Sequence, residues 1–366
     1  MRRIVVEPGG ICNTTMEVCM DNNLSIDCQE ILIAGEEEIF VPVNNDAIEV
    51  VLSLFTADNP DSALLSMPIA VPNFDRQQIT EQGTMPITVA EATGFILGDS
   101  FYLCGGYTES ENEITADFWR YNFPNQEWTQ LDDYPGGPQA FMTSSVIGDL
   151  AYVGTGGDGS RESGSNEFYS YNAMTDVWTR LADLPFGAQA GVSFALNDKI
   201  YMTNLIVNRD GNSSRNVFEY DVSRDSWRTL RQFPFQFTNN RNMAVVYDGT
   251  AYVINTLDDI IQITRYDQER DDWGLVEEFA ISCDDGVAFT QDDALYITTG
   301  RGMDGLYRFD LATFESSLSC TTTQEMRSEA VGAVYNGEVF IFGGLEHDLD
   351  PSNFTQALNT VYSLEL

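Results

Sequence analysis

The sequence holds a single histidine, His347, among 366 residues. A Ser-His-Asp or Cys-His nucleophile system would have to be built around that one imidazole, which must take the nucleophile's proton. No Gly-x-Ser-x-Gly elbow accompanies it. Carboxylate, by contrast, is abundant: Asp and Glu number 57 against 18 Lys and Arg, a net charge of −39. Two carboxylates at a defined separation can cleave a glycosidic bond, but so many acidic residues leave no pair singled out. Asp284-Asp285 and Asp292-Asp293 have the oxygen chemistry that Ca²⁺ takes. Neither fits the spaced D-x-[DN]-x-[DN]-G loop, and Asp292-Asp293 reads better as a hairpin turn. No cofactor is therefore expected, and Ca²⁺ has no motif behind it.

The cations are lopsided. Lys199 is the only lysine, so the other 17 basic residues are arginine. Arg161, Arg209, Arg215 and Arg301 fall on polar stretches, near Asp158, Glu162, Asp210, Asp304, Glu346, Asp348 and His347. A guanidinium fork suits a carboxylate or the oxygens of a sugar. The plainer reading makes these arginines exposed countercharges. The net field repels nucleic-acid phosphates and anionic lipid heads, so neither is an expected partner. Many carboxylates with almost no lysine resemble the surfaces of proteins from high-salt surroundings, where such charge keeps a protein dissolved. No run of about 18 apolar residues is present to span a membrane.

There are six cysteines and no CxxC pair, so a zinc ribbon or thioredoxin-like site has no support. Cys12, Cys19 and Cys28 cluster and permit a disulfide; Cys283 and Cys320 flank one segment and permit another. Cys104 sits in an apolar run and reads as a small buried hydrophobe. MRRIVVEPGG is not a secretory signal as it stands. The even cysteine count and the sequons at Asn13, Asn23, Asn212 and Asn353 lead to an expectation of an extracellular or cell-surface location.

The elements that would position these groups form a repeat. Residues 1–75 lack it; their QEILIAGEEEIFVPV and AIEVVLSLFT runs read as strands of a small β domain or extension with a connector. From residue 76 a phrase recurs every 45–50 residues, the mark of a propeller or array. First strands end in the turns ILGD, VIGD, ALND, VYDG, TQDD and VYNG, where Gly, Asn and Asp tolerate positive φ. Second strands carry Tyr102, Tyr152, Tyr201, Tyr252, Tyr296 and Phe340. Third and fourth strands place a Tyr seven residues before a Trp, as in Tyr121/Trp128, Tyr171/Trp178, Tyr220/Trp227 and Tyr266/Trp273. Diglycines follow at Gly105-Gly106, Gly156-Gly157 and Gly343-Gly344.

This pattern resembles the Kelch repeat over residues 76–366. The resemblance implies an all-β, six-bladed β-propeller of four-stranded antiparallel blades. The last copy stops after its third strand, so residues about 76–83, before Met85-Pro86, are expected to supply the missing fourth. That closure removes a sheet edge. The repeated Tyr, Trp and Gly residues then belong to the architecture. Galactose-oxidase-like enzymes share the repeat, but their copper needs two histidines, which this chain lacks. Sialic-acid mutarotases of the Kelch type work with carboxylate and arginine, which this chain has.

Function in such a fold belongs to loops at one mouth of the channel. Just past each x-Pro step come Gln139, Gln189, Arg241, Asp284 and Arg327. The second-to-third-strand loops add Arg161, Arg209 and Arg301. These eight residues are the expected ligand contacts. The expected role is non-enzymatic binding of a protein or glycan. The alternatives are a sugar-processing enzyme similar to the sialic-acid mutarotases, with an Arg/carboxylate site, and a structural subunit of an extracellular assembly, with self-assembly through the N-terminal region as a further expectation.

Overall fold

The computed structural model describes residues 79–108, 113–158, 164–207, 213–235, 242–257, 260–280, 286–298, 306–314, 316–320, 327–346 and 356–365, and before them the backbone of strands within residues 2–70. The chain divides into two compact units, Met1–Asp75 and Arg76–Leu366. In the first, Thr14–Asp21 lies between Ile26–Ile33 and Glu49–Thr56, with Leu65–Ala70 at the far edge of the antiparallel sheet. Arg2–Val6 pairs separately with Glu37–Val41. The register sets Cys19 directly opposite Cys28.

The second unit is a six-bladed β-propeller, and the described residues contain no helix. The first blade runs through Thr93–Leu97, Ser100–Cys104, Phe118–Asn122 and Glu127–Gln130. Four more blades repeat this up-and-down order, with first strands Ala140–Ile147, Val192–Leu196, Met243–Tyr247 and Ala288–Gln291. The sixth takes Val331–Tyr335, Glu338–Phe342 and Thr360–Glu365 from the end of the unit. Its fourth strand is Ile79–Thr84, in register with Ile79 opposite Leu364 and Thr84 opposite Thr360. Closure by the segment near residues 76–83 is thus observed. Gln82 Nε2 donates to Ser363 Oγ at 2.7 Å across the joint.

The apolar core is divided among the seams between blades. Phe118 of the first blade is fully buried and meets Tyr171 of the second edge-on at 4.8 Å. Phe168 meets Tyr220 of the third at 5.0 Å, and Phe342 of the sixth stacks on Phe101 of the first at 3.9 Å. Burying one such ring contributes about 2–3 kcal/mol. The seven-residue step follows from the hairpin register: Tyr121, Tyr171, Tyr220 and Tyr266 stand directly opposite Trp128, Trp178, Trp227 and Trp273. Tyr171, Tyr220 and Tyr266 each donate to an aspartate at the turn between, Asp176, Asp225 and Asp271. Those aspartates hold φ of 54°, 48° and 49°, a left-handed conformation that Asp tolerates better than most residues.

One alignment needs correcting. Thr93 pairs with Cys104, and Thr143 pairs with Gly154. The partners of Gly105-Gly106 in the second blade are therefore Thr155-Gly156, one residue earlier than the Gly156-Gly157 reading. Backbone conformation agrees: Gly105 and Thr155 have φ of 64° and 62°, and Gly106 and Gly156 have 104° and 105°. The following blades carry Asn204 and Asn255 at that first position, and the sixth carries Gly343. Gly105, Thr155, Asn204 and Gly343 share a left-handed turn, whereas Asn255 continues its strand, Thr250–Leu257.

Lys199 finds its place in the third blade. It meets Glu219 Oε1 at 2.5 Å, and Arg228 and the Tyr201 hydroxyl reach Oε2 of the same carboxylate at 2.7 and 3.0 Å. Glu219 is 2% exposed. Burial pulls its pKa up, but the hydrogen bonds from Arg228, Lys199 and Tyr201 outweigh that and hold it below the ordinary carboxylate range. Arg120, Arg265 and Arg308 occupy the matching third-strand position in other blades, opposite Tyr102, Tyr252 and Tyr296. The third blade reverses the sign and recruits cations to match.

Candidate functional site

Four residues at or just before the start of first strands share an unusual backbone. Glu91, Phe141, Ala190 and Glu329 have φ of 56°, 59°, 55° and 58°. None is glycine, so each position costs about 1–3 kcal/mol unless its surroundings hold it. Hydrogen bonds hold it here. Ala190 N donates to Phe141 O at 2.7 Å, Phe141 N to Glu91 O at 3.0 Å, and Glu91 N to Glu329 O at 3.3 Å. The chain of bonds runs from blade to blade around the axis. The repeat register assigns Arg241 and Asp285 to the same position in the other two blades, outside the described residues.

These four residues rim a cavity of about 360 Å³ to which every blade contributes. Glu91 and Glu329 bring carboxylates, Gln189 and Asn242 bring amides, and Phe141, Met142, Ile206 and Met243 bring apolar surface. Below it lies a second space of about 260 Å³. The two share Ala92, Met142, Gly191, Asn242, Met243, Gly286 and Ala330, at least one residue from each blade. Asn242 is the one polar side chain in this neck. One wall of the lower space carries hydroxyls: Thr93 Oγ1 donates to Ser144 Oγ at 2.9 Å, and Ser193 Oγ donates to Ser144 O at 2.8 Å. The opposite wall is aliphatic, from Ala244, Val287 and Val331. Small two- and three-stranded ladders continue the second strands beyond the blades, including Tyr107–Thr108 with Glu113–Ile114 and Leu345–Glu346 with Gln356–Ala357. Another joins Ala188–Gln189 to Leu205–Val207 and so fixes Gln189 at the cavity wall.

The expected contact residues fall in different places. Gln189 is buried and lines the cavity. Gln139 accepts from Gly106 N at its carbonyl, at 2.9 Å, and its Nε2 donates to Gly136 O at 3.4 Å, away from the cavity wall. Arg327 is 8% exposed and donates to Gly343 O at 3.2 Å, to Thr360 O at 3.0 Å and to Thr360 Oγ1. Its guanidinium lies 4.2 Å over the Tyr362 ring, so it braces the sixth blade. Arg241, Asp284, Arg161, Arg209 and Arg301 lie outside the described residues, as do His347, Cys12 and Cys283. For Cys19, Cys28 and Cys320 only the strand backbone is described. Cys104 is a buried free thiol whose pKa burial pushes up, which keeps it unreactive. Among the described residues no group of three or more His, Cys, Asp or Glu could hold a metal ion.

Glu91, Glu329, Phe141 and Asn242 were missed by counting forward from the x-Pro step. That step stands five to seven residues before the ring, at Tyr134-Pro135, Leu184-Pro185 and Phe233-Pro234. Counting back from the last residue of each first strand gives a constant interval and finds the ring.

Comparison with known proteins bears on this architecture. A family model described as "Kelch motif" matches residues 90–133, which form the start and the strands of the first blade. The same strand order recurs in the blades that follow, and the Tyr/Trp register in the next three. Residues 90–133 thus match a Kelch motif, and the unit that holds them is a six-bladed β-propeller. A solved structure titled "Structure of YjhT" resembles this propeller with a TM-score of 0.63 and 17% identity, covering 77% of this chain and 96% of that one. At that identity the likeness is one of fold. No curated protein matches this chain.

Proposed function

We propose that the chain is a non-enzymatic binding propeller that recognises a protein or a glycan at the channel mouth. The Kelch fold supports a binding or interaction role at the coarse level. The observation that carries the finer reading is the cavity of about 360 Å³, lined by all six blades and rimmed on four of them by hydrogen-bonded left-handed residues. Strained non-glycine backbone held by its surroundings gathers where a surface must be pre-organised. A mouth that mixes carboxylate, amide and aromatic groups suits a polar ligand with apolar faces. The test is a glycan array and a displayed peptide library, probed with the wild type and with Ala330→Trp, which fills the neck. Specific hits lost in a variant that still melts as a folded protein support the reading. Hits that survive Ala330→Trp place recognition elsewhere and overturn it.

A sugar-processing enzyme is the second reading, favoured by Glu91 and Glu329 standing on neighbouring blades and joined through their backbones at 3.3 Å. Turnover of a bound sugar, lost in Glu91→Gln with binding kept, is the outcome that selects it.

A further inference from the structure

The fourth blade departs from its neighbours where the second strand meets the third. In the other blades the chain leaves the second strand at Cys104, Gly157, Thr203, Thr298 and Phe342 and rejoins the sheet at Phe118, Phe168, Phe218, Leu306 and Thr360. In the fourth, Thr250–Leu257 turns directly into Ile260–Asp267, and the two stay paired from Ala251 opposite Tyr266 to Leu257 opposite Ile260. The outer strand follows them along their length. Asp272–Ala280 has 9 residues, whereas the outer strands of the other blades have 4, 4, 4, 5 and 6.

Packing holds this extension straight. Ile254, Ile261 and Ile263 are fully buried on one face. On the other, a polar ladder crosses three strands: Asn255 Nδ2 donates to Gln262 Oε1 at 2.9 Å, and Gln262 Nε2 donates to Glu278 Oε2 at 2.9 Å. Asp272–Ala280 is the last strand of its sheet, and among the described residues no strand pairs with its outer side. Glu278 N donates to its neighbour's side chain, Glu277 Oε1, at 3.2 Å. Leu275 is half exposed, and Glu278 is exposed.

An open edge of N–H and C=O groups is a template for another strand, so natural edges are commonly kept short or charged. This one is charged rather than short. Its sequence, DWGLVEEFA, carries three carboxylates and no cation. Asp272 has a partner in Arg231 Nη1 at 2.9 Å, but no described cation meets Glu277 or Glu278. A second copy added here would set acid against acid, which opposes pairing. A basic strand meets attraction at the same places.

We infer that Asp272–Ala280 is a docking edge for an extended basic segment of a partner protein, which joins the fourth blade as a fifth strand. Main-chain hydrogen bonds supply the affinity, while Glu277, Glu278 and the exposed Leu275 select the side chains. The edge is already straight and packed, so it loses little freedom on docking. None of its residues lines either cavity, so the inference stands apart from the reading of the channel mouth.

The test uses the full chain and three peptides matched in length to the strand: alternating arginine and valine, alternating glutamate and valine, and the arginine peptide with every second amide N-methylated. N-methylation removes main-chain donors and leaves the charge intact. Binding is read by fluorescence anisotropy at physiological salt and located by hydrogen exchange. The arginine peptide is expected to bind about tenfold or more tighter than either of the others, a difference set by charge and by main-chain bonds in turn. It should slow exchange within Asp272–Ala280. Glu277→Lys and Leu275→Lys, both at the open edge, are each expected to weaken it about fivefold with the melting temperature unchanged. If either variant fails to fold, the peptide comparison and the exchange map decide. Five results overturn the proposal: no preference for arginine over glutamate, equal binding of the N-methylated peptide, protection confined to other strands, full binding by both folded variants, or a peptide-free chain that sediments as a dimer protected at this strand. The second result reduces the effect to general attraction by an acidic protein, and the last makes the occupant a second copy.

Discussion

Asp225 Oδ1 accepts a 2.7 Å hydrogen bond from the Tyr220 hydroxyl within the third blade, and the same oxygen accepts a 2.7 Å bond from Ala182 N, which precedes that blade. One carboxylate thus fastens the blade's outer hairpin and ties it to the preceding connection. Trp227 Nε1 adds a bond to Ala182 O at 2.9 Å.

Removing this carboxylate should cost more than removing the hydroxyl. Tyr220→Phe loses one bond and is expected to destabilise by about 1 kcal/mol. Asp225→Ala loses both and sets a β-carbon without local hydrogen bonding at φ of 48°, for a loss of about 2–4 kcal/mol. Asp225→Gly should fall between them, because it relieves the backbone while losing the bonds. Asp225→Asn keeps an acceptor and should stay within about 1 kcal/mol of wild type. Urea unfolding of the four variants checks the order.

Acid should loosen the third blade through Glu219. Its folded pKa is depressed, so its contribution is complete above the ordinary glutamate range and is lost as pH falls through the folded value. Glu219→Gln removes that dependence and should flatten the acid limb of a melting-temperature profile. At neutral pH it should cost about 2 kcal/mol, less than a fully enclosed pair, because Arg228 reaches solvent. Asp310 adds to the same limb at lower pH. The backbone N–H groups of Thr313 and Ala312 and the Arg308 guanidinium hold its pKa at about 2. Its share persists above the ordinary aspartate range and disappears only near that value.

The closing strand can be tested by truncation. A chain beginning at Arg76 keeps Ile79–Thr84 and should melt as a propeller. A chain beginning at Met85 leaves Thr360–Glu365 as an open edge. It should melt well below the longer one and associate at micromolar concentration, as read by light scattering.

Cys19 and Cys28 face each other in the register of an antiparallel pair. Opposed Cα atoms at that spacing are within disulfide reach. Expression in an oxidising compartment should give one bond between them, found as a crosslinked peptide in a non-reducing digest and lost in Cys19→Ser.

Much of the blade was legible because its chemistry lies in side chains. Tyr220 needs an acceptor, Trp227 needs an opposite partner, and the turn before Tyr201 needs Asn-Asp at positive φ, as Asn197 and Asp198 provide. The closing strand was legible because a sheet edge has to be paired. The rim was not. Glu91, Phe141 and Ala190 share a backbone conformation and a hydrogen-bonding role but no side-chain property. Thr155 shows the same limit, standing where glycine does in the first blade. Asn242 differs from its neck neighbours only through where the fold puts it.

The pairing of Ile79–Thr84 with Thr360–Glu365 also sets a clock on synthesis. The two partners are separated by nearly the whole propeller, so the strand made first must wait for the one made last. At roughly 5–20 residues per second, that wait is on the order of tens of seconds. During it, the earlier blades can assemble on the ribosome while the sixth has nothing to lock against. The dense negative charge of the chain keeps such half-finished molecules apart. A ribosome stalled a few codons short of Thr360 would hold a ring with its clasp undone.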